Sequence, residues 1–208
     1  MKLTDLQESS LSRIHGAMQK YACGVITAYR SCKDFGKDDA GKTVCLVTFT
    51  HAENQARNKN LLAKLQNKRF GVTGIMGSYI ENFEQPNATE VQEHSYFVVN
   101  HSVEGDDDGV LEKYLRSLGE YFDQDSIINI AFGQSPMLIG TNQTGYPGFG
   151  NVVTLGGFKG GYAAEFMSRV NNRSFVFKEH YLPMERAGRY GCSVIAERDW
   201  WELVAKTA

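Results

Sequence analysis

The sequence predicts an α/β or α+β domain: a mixed sheet flanked by helices, followed by a glycine-rich C-terminal extension. Three observations lead there. Apolar residues recur near a period of 3.6 in three segments, at Leu3 to Tyr21, Ala52 to Lys68 and Val110 to Tyr121. Between those segments lie short runs rich in β-branched and aromatic residues, which suit a pleated, half-buried surface. From Gly140 to Gly161 the texture changes to glycine-rich (GTNQTGYPGFGNVVTLGGFKGG). We therefore expect a core domain over residues 1–132 and a glycine-rich part over residues 133–208 packed on the same core.

Along the chain, Leu6, Leu11, Ile14, Ala17, Met18 and Tyr21 form the apolar stripe of a first helix, which Thr4 or Asp5 would cap. Cys23 to Tyr29 reads as a strand. Lys33 to Lys42 (KDFGKDDAGK) is polar and contains glycine, so an exposed loop is expected. Thr43 to Thr50 is the next strand. Ala52 to Lys68 is a helix with Ala56, Leu61, Leu62 and Leu65 inward. Phe70 to Ile80 and Glu90 to Asn100 are strands separated by a loop with Pro86. In the second of these, Ser95, Phe97 and Val99 alternate with Tyr96 and Val98, so both faces are apolar and neither is marked as the buried one.

Gly105 to Gly109 (GDDDG) is an acidic turn before a helix over Val110 to Tyr121, with Leu111, Tyr114, Leu115 and Leu118 inward. Ser126 to Phe132 and Met137 to Thr141 read as a hairpin through Gly133 to Pro136. Val152 to Leu155 is a short strand, Ala163 to Val170 a short helix, Phe175 to Phe177 a strand, and Arg198 to Lys206 a helix docked by Trp200 or Trp201.

Composition limits the function classes. The 208 residues are 42% hydrophobic and 22% charged, which suits a domain able to bury a core. A net charge of -2 excludes a generally basic nucleic-acid binder but not a local basic patch. No apolar run approaches the roughly 20 residues of a membrane span, and the N-terminus lacks a signal-peptide core. Cytoplasmic residence without membrane contact is the expectation. The four cysteines show no C-x-x-C spacing and are expected to be reduced; no H-x-x-x-H pair occurs among the five histidines, so no metal site is expected.

The stretch from Thr48 to Val72 draws most attention. Glu53, Asn54, Arg57 and Asn58 follow a strand at helical spacing, so they cluster at a helix N-terminus, where unpaired N–H groups and partial positive charge favour an anion. They are candidate ligand-binding residues, with Arg57 as a bidentate donor. The structural alternative is an i, i+4 pair of Glu53 with Arg57 and a capping role for Asn54. Glu81 ends a strand and can lie beside that helix end. Glu93 precedes an apolar run and is preferred to Glu90. Asp123 and Asp125 are a carboxylate pair that can bind Mg²⁺ or act as acid and base, or simply bond their own turn.

Arg169 and Arg173 add a second basic run, with Glu165 and Arg169 an i, i+4 pair. The glycine-rich stretch matches neither dinucleotide-binding nor P-loop spacing. Basic residues on the second helix opposite Asp106, Asp107 and Asp108 make a dipolar surface that can steer a nucleotide or oligonucleotide, or merely a solvated face.

A resemblance is carried by VITAYR, ENQARNKNLLAKL, GVTGIMGSYIEN, EVQEHSYFVVN, LGEYFDQDSI, LIGTN and EFMSRVNNRSFVF. Together these segments resemble a family of bacterial and phage proteins of unknown function. Its shorter bacterial members are similar to the part from about Ile26 to Ile127, and the GTN and EFMSRV segments resemble a longer phage-type branch. The resemblance implies an α/β fold and phage origin, and no activity. The Lys33 to Lys42 loop is longer here than in that pattern.

On this footing the leading expectation is a phage-encoded accessory protein that binds a host or phage protein or nucleic acid as an inhibitor or regulator. One alternative is an enzyme or sensor acting on nucleotides or nucleic acid through the Glu53–Asn58 helix start. Another is a virion component. Whether there is catalysis is left open, as is the oligomeric state; no cofactor is expected, with Mg²⁺ needed only by an enzyme.

Overall fold

The computed structural model describes residues 13–41, 43–81, 89–143, 145–155, 157–160, 166–170 and 173–178. Residues 13–18 are helical (α1). There follow β1 (Cys23–Ile26), β2 (Cys32–Lys37), β3 (Thr43–Thr48), α2 (His51–Asn67), β4 (Gly71–Glu81), β5 (Thr89–Val99), α3 (Val110–Tyr121), β6 (Ser126–Ile130), β7 (Met137–Gly140), β8 (Val152–Thr154), β9 (Gly157–Gly160), β10 (Phe166–Val170) and β11 (Arg173–Lys178).

Among the described residues, the strands form a nine-stranded sheet in the order β8-β7-β6-β1-β5-β4-β10-β11-β9 and a separate two-stranded sheet, β2-β3. Its ladders are antiparallel throughout. The expected class is thus found in its α+β form. The centre, β6-β1-β5-β4, is crossed by α2 between β1 and β4 and by α3 between β5 and β6. That is the split β-α-β arrangement of ferredoxin-like folds.

Both faces of the central sheet are covered, which explains why the alternation along β5 marks no single buried side. On one face Ile26, Val98, Ile127 and Ile139 pack with Leu61 and Leu65 of α2 and Leu111, Leu115 and Leu118 of α3. On the other, Cys23, Val25, Ile75, Phe97, Val99 and Ile130 pack with Ile14 of α1. Adjacent residues of a strand point to opposite faces, so a strand apolar on both has helices on both.

The acidic turn proves to be a helix cap. Asp107 is buried; its carboxylate accepts hydrogen bonds from the backbone N–H groups of Gly109 (3.1 Å) and Leu111 (2.9 Å) and from the Asn100 amide (2.9 Å). It satisfies donors at the start of α3 that have no partner within the helix. It therefore does not belong to an exposed acidic pole.

Three expectations are corrected. The polar stretch from Lys33 is not all loop: Cys32–Lys37 pairs with Thr43–Thr48, because a hairpin partner overrides weak strand propensity. Cys32 and Cys45, one on each strand of the hairpin, are not reduced: their Cα atoms lie 5.6 Å apart and they form a disulfide. The second half of the helix expected at Ala163 to Val170 is strand β10, paired with β4, so Glu165 and Arg169 are not a helical pair. The helix expected at Arg198 to Lys206 and the first turns of that at Leu3 to Tyr21 lie outside the described residues.

Helix α3 rests directly on β1 at Gly24, where an added Cβ would strike the Leu115 side chain and lie 2.7 Å from the Ile128 carbonyl oxygen. Gly24→Ala should cost about 1–3 kcal/mol of stability through overpacking. Gly16, in α1, has open space at its Cβ position, so Gly16→Ala should be neutral or slightly stabilising. Urea denaturation of the two variants checks the contrast.

Candidate functional site

The site is built where the chain leaves β1. Residues 27–30 pass beside the N-terminal half of α2, and side chains of that helix hold them. Asn58 accepts from the Ala28 N–H (3.0 Å) and donates to the His94 carbonyl (2.9 Å). Asn54 accepts from the Arg30 N–H and donates to the Arg30 carbonyl, both at 3.0 Å. Arg57 donates through Nε to the Ala28 carbonyl (2.8 Å) and through Nη2 to the Phe122 carbonyl, with its guanidinium 4.5 Å from the Phe49 ring centroid. Spacings of three and four residues put these side chains on one helix face.

Each predicted ligand-binding residue can now be placed. Asn54, Arg57 and Asn58 are brought together, but their hydrogen-bonding groups are spent on the backbone. Burial, and then the neighbouring Arg30 charge, push the Arg57 guanidinium below its usual pKa. Glu53 closes a capping box with Thr50 and pairs with Lys33 at 2.9 Å, not with Arg57. The Lys33 contact, followed by the Thr50 bonds, lowers the Glu53 pKa to about 2.

Asp123 and Asp125 join the same end of the molecule through Arg30. Its Nε lies 3.2 Å from Asp123 Oδ2, in ion-pair range without hydrogen-bond alignment, and its Nη1 lies 3.2 Å from Asp125 Oδ1. The Arg30 side chain is 11% exposed, against 61% and 55% for the two carboxylates, so one sequestered cation holds two solvent-facing anions.

Other candidates are placed as strand positions. Glu93 pairs with Gly77, and Glu81 lies further along β4, opposite Thr89. Arg169 pairs with Met76, which pairs with His94, so these three positions are level across β10, β4 and β5. Arg173 sits one strand further out, opposite Val170.

Sequence reasoning missed the aromatic group on this segment. The half-buried Tyr29 ring lies 5.9 Å from that of His94 and 6.3 Å from that of His51, centroid to centroid. His51 meets the Gln55 amide at 2.8 Å, and the Tyr96 hydroxyl donates to the Asn58 carbonyl at 3.4 Å. Burial, and then the Glu93 charge, raise the Tyr29 pKa; burial, and then Tyr29, raise that of Tyr96. The available signal was the AYR tripeptide at the end of the first strand. Among the described residues no cluster of three or more His, Cys, Asp or Glu is arranged to hold a metal ion. No helix among them is long and apolar enough to cross a membrane.

The model of the S-adenosylmethionine lyase family matches residues 45–202, about three quarters of the chain. The chain belongs to the S-adenosylmethionine lyase family. The match begins within β3 and takes in α2, β4, β5 and α3. No curated protein and no solved structure matches the chain. Membership overturns the expectation of a non-enzymatic inhibitor or regulator defined by host interaction, and the label of unknown function: a lyase family is defined by chemistry on a small molecule. Helix α2 lies within the matched region, and residues 27–30 lie outside it.

Two predictions follow from the clasp and the cap. Asn58→Ala removes a buried bridge, leaving the Ala28 N–H unpaired and the His94 carbonyl with the Thr27 hydroxyl, and should cost about 1–3 kcal/mol, read as a lower urea midpoint. For Glu53 the folded-state pKa lies below the ordinary 4.5, so its stabilisation is fully present above pH 4.5 and fades as pH falls toward 2. Glu53→Gln should therefore lower stability at neutral pH and flatten the loss between those two values, measured by urea melts across acid pH.

Proposed function

We propose that the protein cleaves S-adenosylmethionine by intramolecular displacement. Family membership over residues 45–202 is the observation that carries this reading. A lyase breaks the bond without water. In this substrate the internal nucleophile is the α-carboxylate: one oxygen attacks Cγ, the Cγ–S bond breaks, and its electron pair passes to sulfur. The products are neutral 5′-methylthioadenosine and homoserine lactone, whose ammonium keeps the remaining positive charge. Atoms and charge balance with no proton transferred.

The chemistry states what a site must do. Carboxylate and sulfonium neutralise one another as the reaction proceeds, so the transition state is less charged than the substrate. A dry, weakly polar surface around the reacting atoms favours it, and fixing the methionyl chain in a folded conformer supplies the rest. A thioether leaves without protonation, so neither a general acid nor Mg²⁺ enters the scheme. The half-buried aromatic surface at Tyr29 and Tyr96, held by the α2 side chains, is the kind of surface this reaction needs. The phage origin implied by the segment resemblance fits an enzyme that lowers the S-adenosylmethionine supply in a host cytoplasm.

The test is chromatography with mass detection of purified protein incubated with S-adenosylmethionine in H₂¹⁸O. Methylthioadenosine and unlabelled lactone are expected in equal amounts, at a rate unchanged by EDTA. Failure to form either product, or homoserine carrying ¹⁸O in its hydroxyl, would contradict the reading.

A further inference from the structure

We propose that the sulfonium of the substrate is recognised at the face of the Tyr29 ring, between His51 and His94. This rests on the function proposed above and assigns its cation-binding residues.

A sulfonium carries three carbon substituents and no N–H, so hydrogen bonds cannot read it. What distinguishes it from a neutral thioether is charge, and proteins read such a charge with aromatic faces and a nearby carboxylate. Three rings gather at the end of the segment that α2 holds. Tyr29 lies 5.9 Å from His94 and 6.3 Å from His51, centroid to centroid, and the tyrosine is half-buried while both histidines are exposed. A small cation can therefore reach the tyrosine from solvent.

Glu93 precedes His94 on β5. Its side chain leaves the strand on the side away from His94; burial first, and then the Glu93 charge, make the Tyr29 hydroxyl harder to ionise. The segment is also fixed in place. Asn58 ties Ala28 to His94, and the Thr27 hydroxyl donates to the same His94 carbonyl at 2.8 Å. Tyr29 and His94 are thus presented as a pair by backbone bonds rather than by their own contact. The Tyr29 N–H is satisfied internally by the Thr27 hydroxyl at 3.0 Å.

The charge argument adds a kinetic consequence. Because the positive charge on sulfur disappears as the bond breaks, a ring face that attracts it binds the substrate more tightly than the transition state. Tyr29→Leu should therefore raise KM without lowering kcat, a division that a merely structural role would not produce.

The experiment compares two stable ligands by equilibrium binding at about pH 8, where free imidazoles are neutral. One is a cationic analogue with a protonated tertiary amine in place of the sulfonium; the other is S-adenosylhomocysteine, its neutral thioether counterpart. The wild-type protein should prefer the cation by about tenfold, the scale of a partly desolvated cation–π contact. Tyr29→Leu should reduce that preference severalfold while leaving the affinity for S-adenosylhomocysteine unchanged. Tyr29→Phe, which keeps the ring, should retain the preference and guards against misfolding of the leucine variant.

A wild-type protein that binds both ligands equally, or a Tyr29→Leu variant that keeps the full preference or loses both ligands alike, would each overturn the assignment. If the wild-type protein still cleaves S-adenosylmethionine in any of those cases, the proposed function stands and only its cation site is wrong. If it cleaves nothing and binds neither ligand, both fail.

Discussion

Residues 28–30 leave a strand and have no continuing ladder to satisfy their backbone. The need to satisfy those groups shapes this end of the molecule. Ala28 and Arg30 each offer one N–H and one carbonyl, and all four are taken by side chains of α2. Buried backbone groups that lack partners are costly, so an irregular segment this close to the core needs such a set. The consequence is positional. Tyr29 stands between two fixed residues, Arg30 is aimed at Asp123 and Asp125, and the N-terminal half of α2 is tied to the segment after β1 and to the middle of β5. In the proposed site, the polar residues of the helix form the scaffold and the aromatic residue of the clasped segment contributes to the surface.

That division explains what was legible in the sequence. Periodicity of 3.6 and the β-branched runs located α2, α3 and most of the central strands, because those elements bury continuous apolar stripes. The spacing of Asn54, Arg57 and Asn58 put three polar side chains on one helix face, and the structure bonds them to backbone groups of neighbouring segments. It did not tell a ligand-facing amide from one that bonds backbone, since both require a polar side chain at the same spacing. Strand β2 was hidden because its residues CKDFGK have little intrinsic preference for extended structure and pair only through the hairpin. Strand β10 was hidden because EFMSRV satisfies a short helical pattern equally well, and pairing with β4 decides between them. Tyr29 and His94 are 65 residues apart in sequence, and only the antiparallel pairing of β1 with β5 brings them together.

Fold and family together narrow the chemistry. A split β-α-β sheet hosts many activities, so the architecture alone names none. On the proposed function, the substrate's own electronic structure sets the requirements: a folded methionyl chain, exclusion of water, and recognition of a charge that the reaction destroys. An enzyme meeting them needs no strong acid, base or metal. It needs a rigid, partly apolar surface with modest negative potential. The same requirement accounts for a site whose charged residues are so fully engaged in structure: Arg57 in the clasp, Glu53 in the cap, Arg30 in its ion pairs.

The central claim is that the clasped segment is the ligand-binding end of the sheet. The most direct measurement is amide NMR of ¹⁵N-labelled protein titrated with the cationic substrate analogue. The account predicts that Ala28, Tyr29, Arg30 and His94 shift or broaden together along one binding curve. Amides around Asp107 and Leu111, at the cap of α3, should stay in place. Shifts centred on the α3 cap, with residues 28–30 unmoved at saturating ligand, would contradict it.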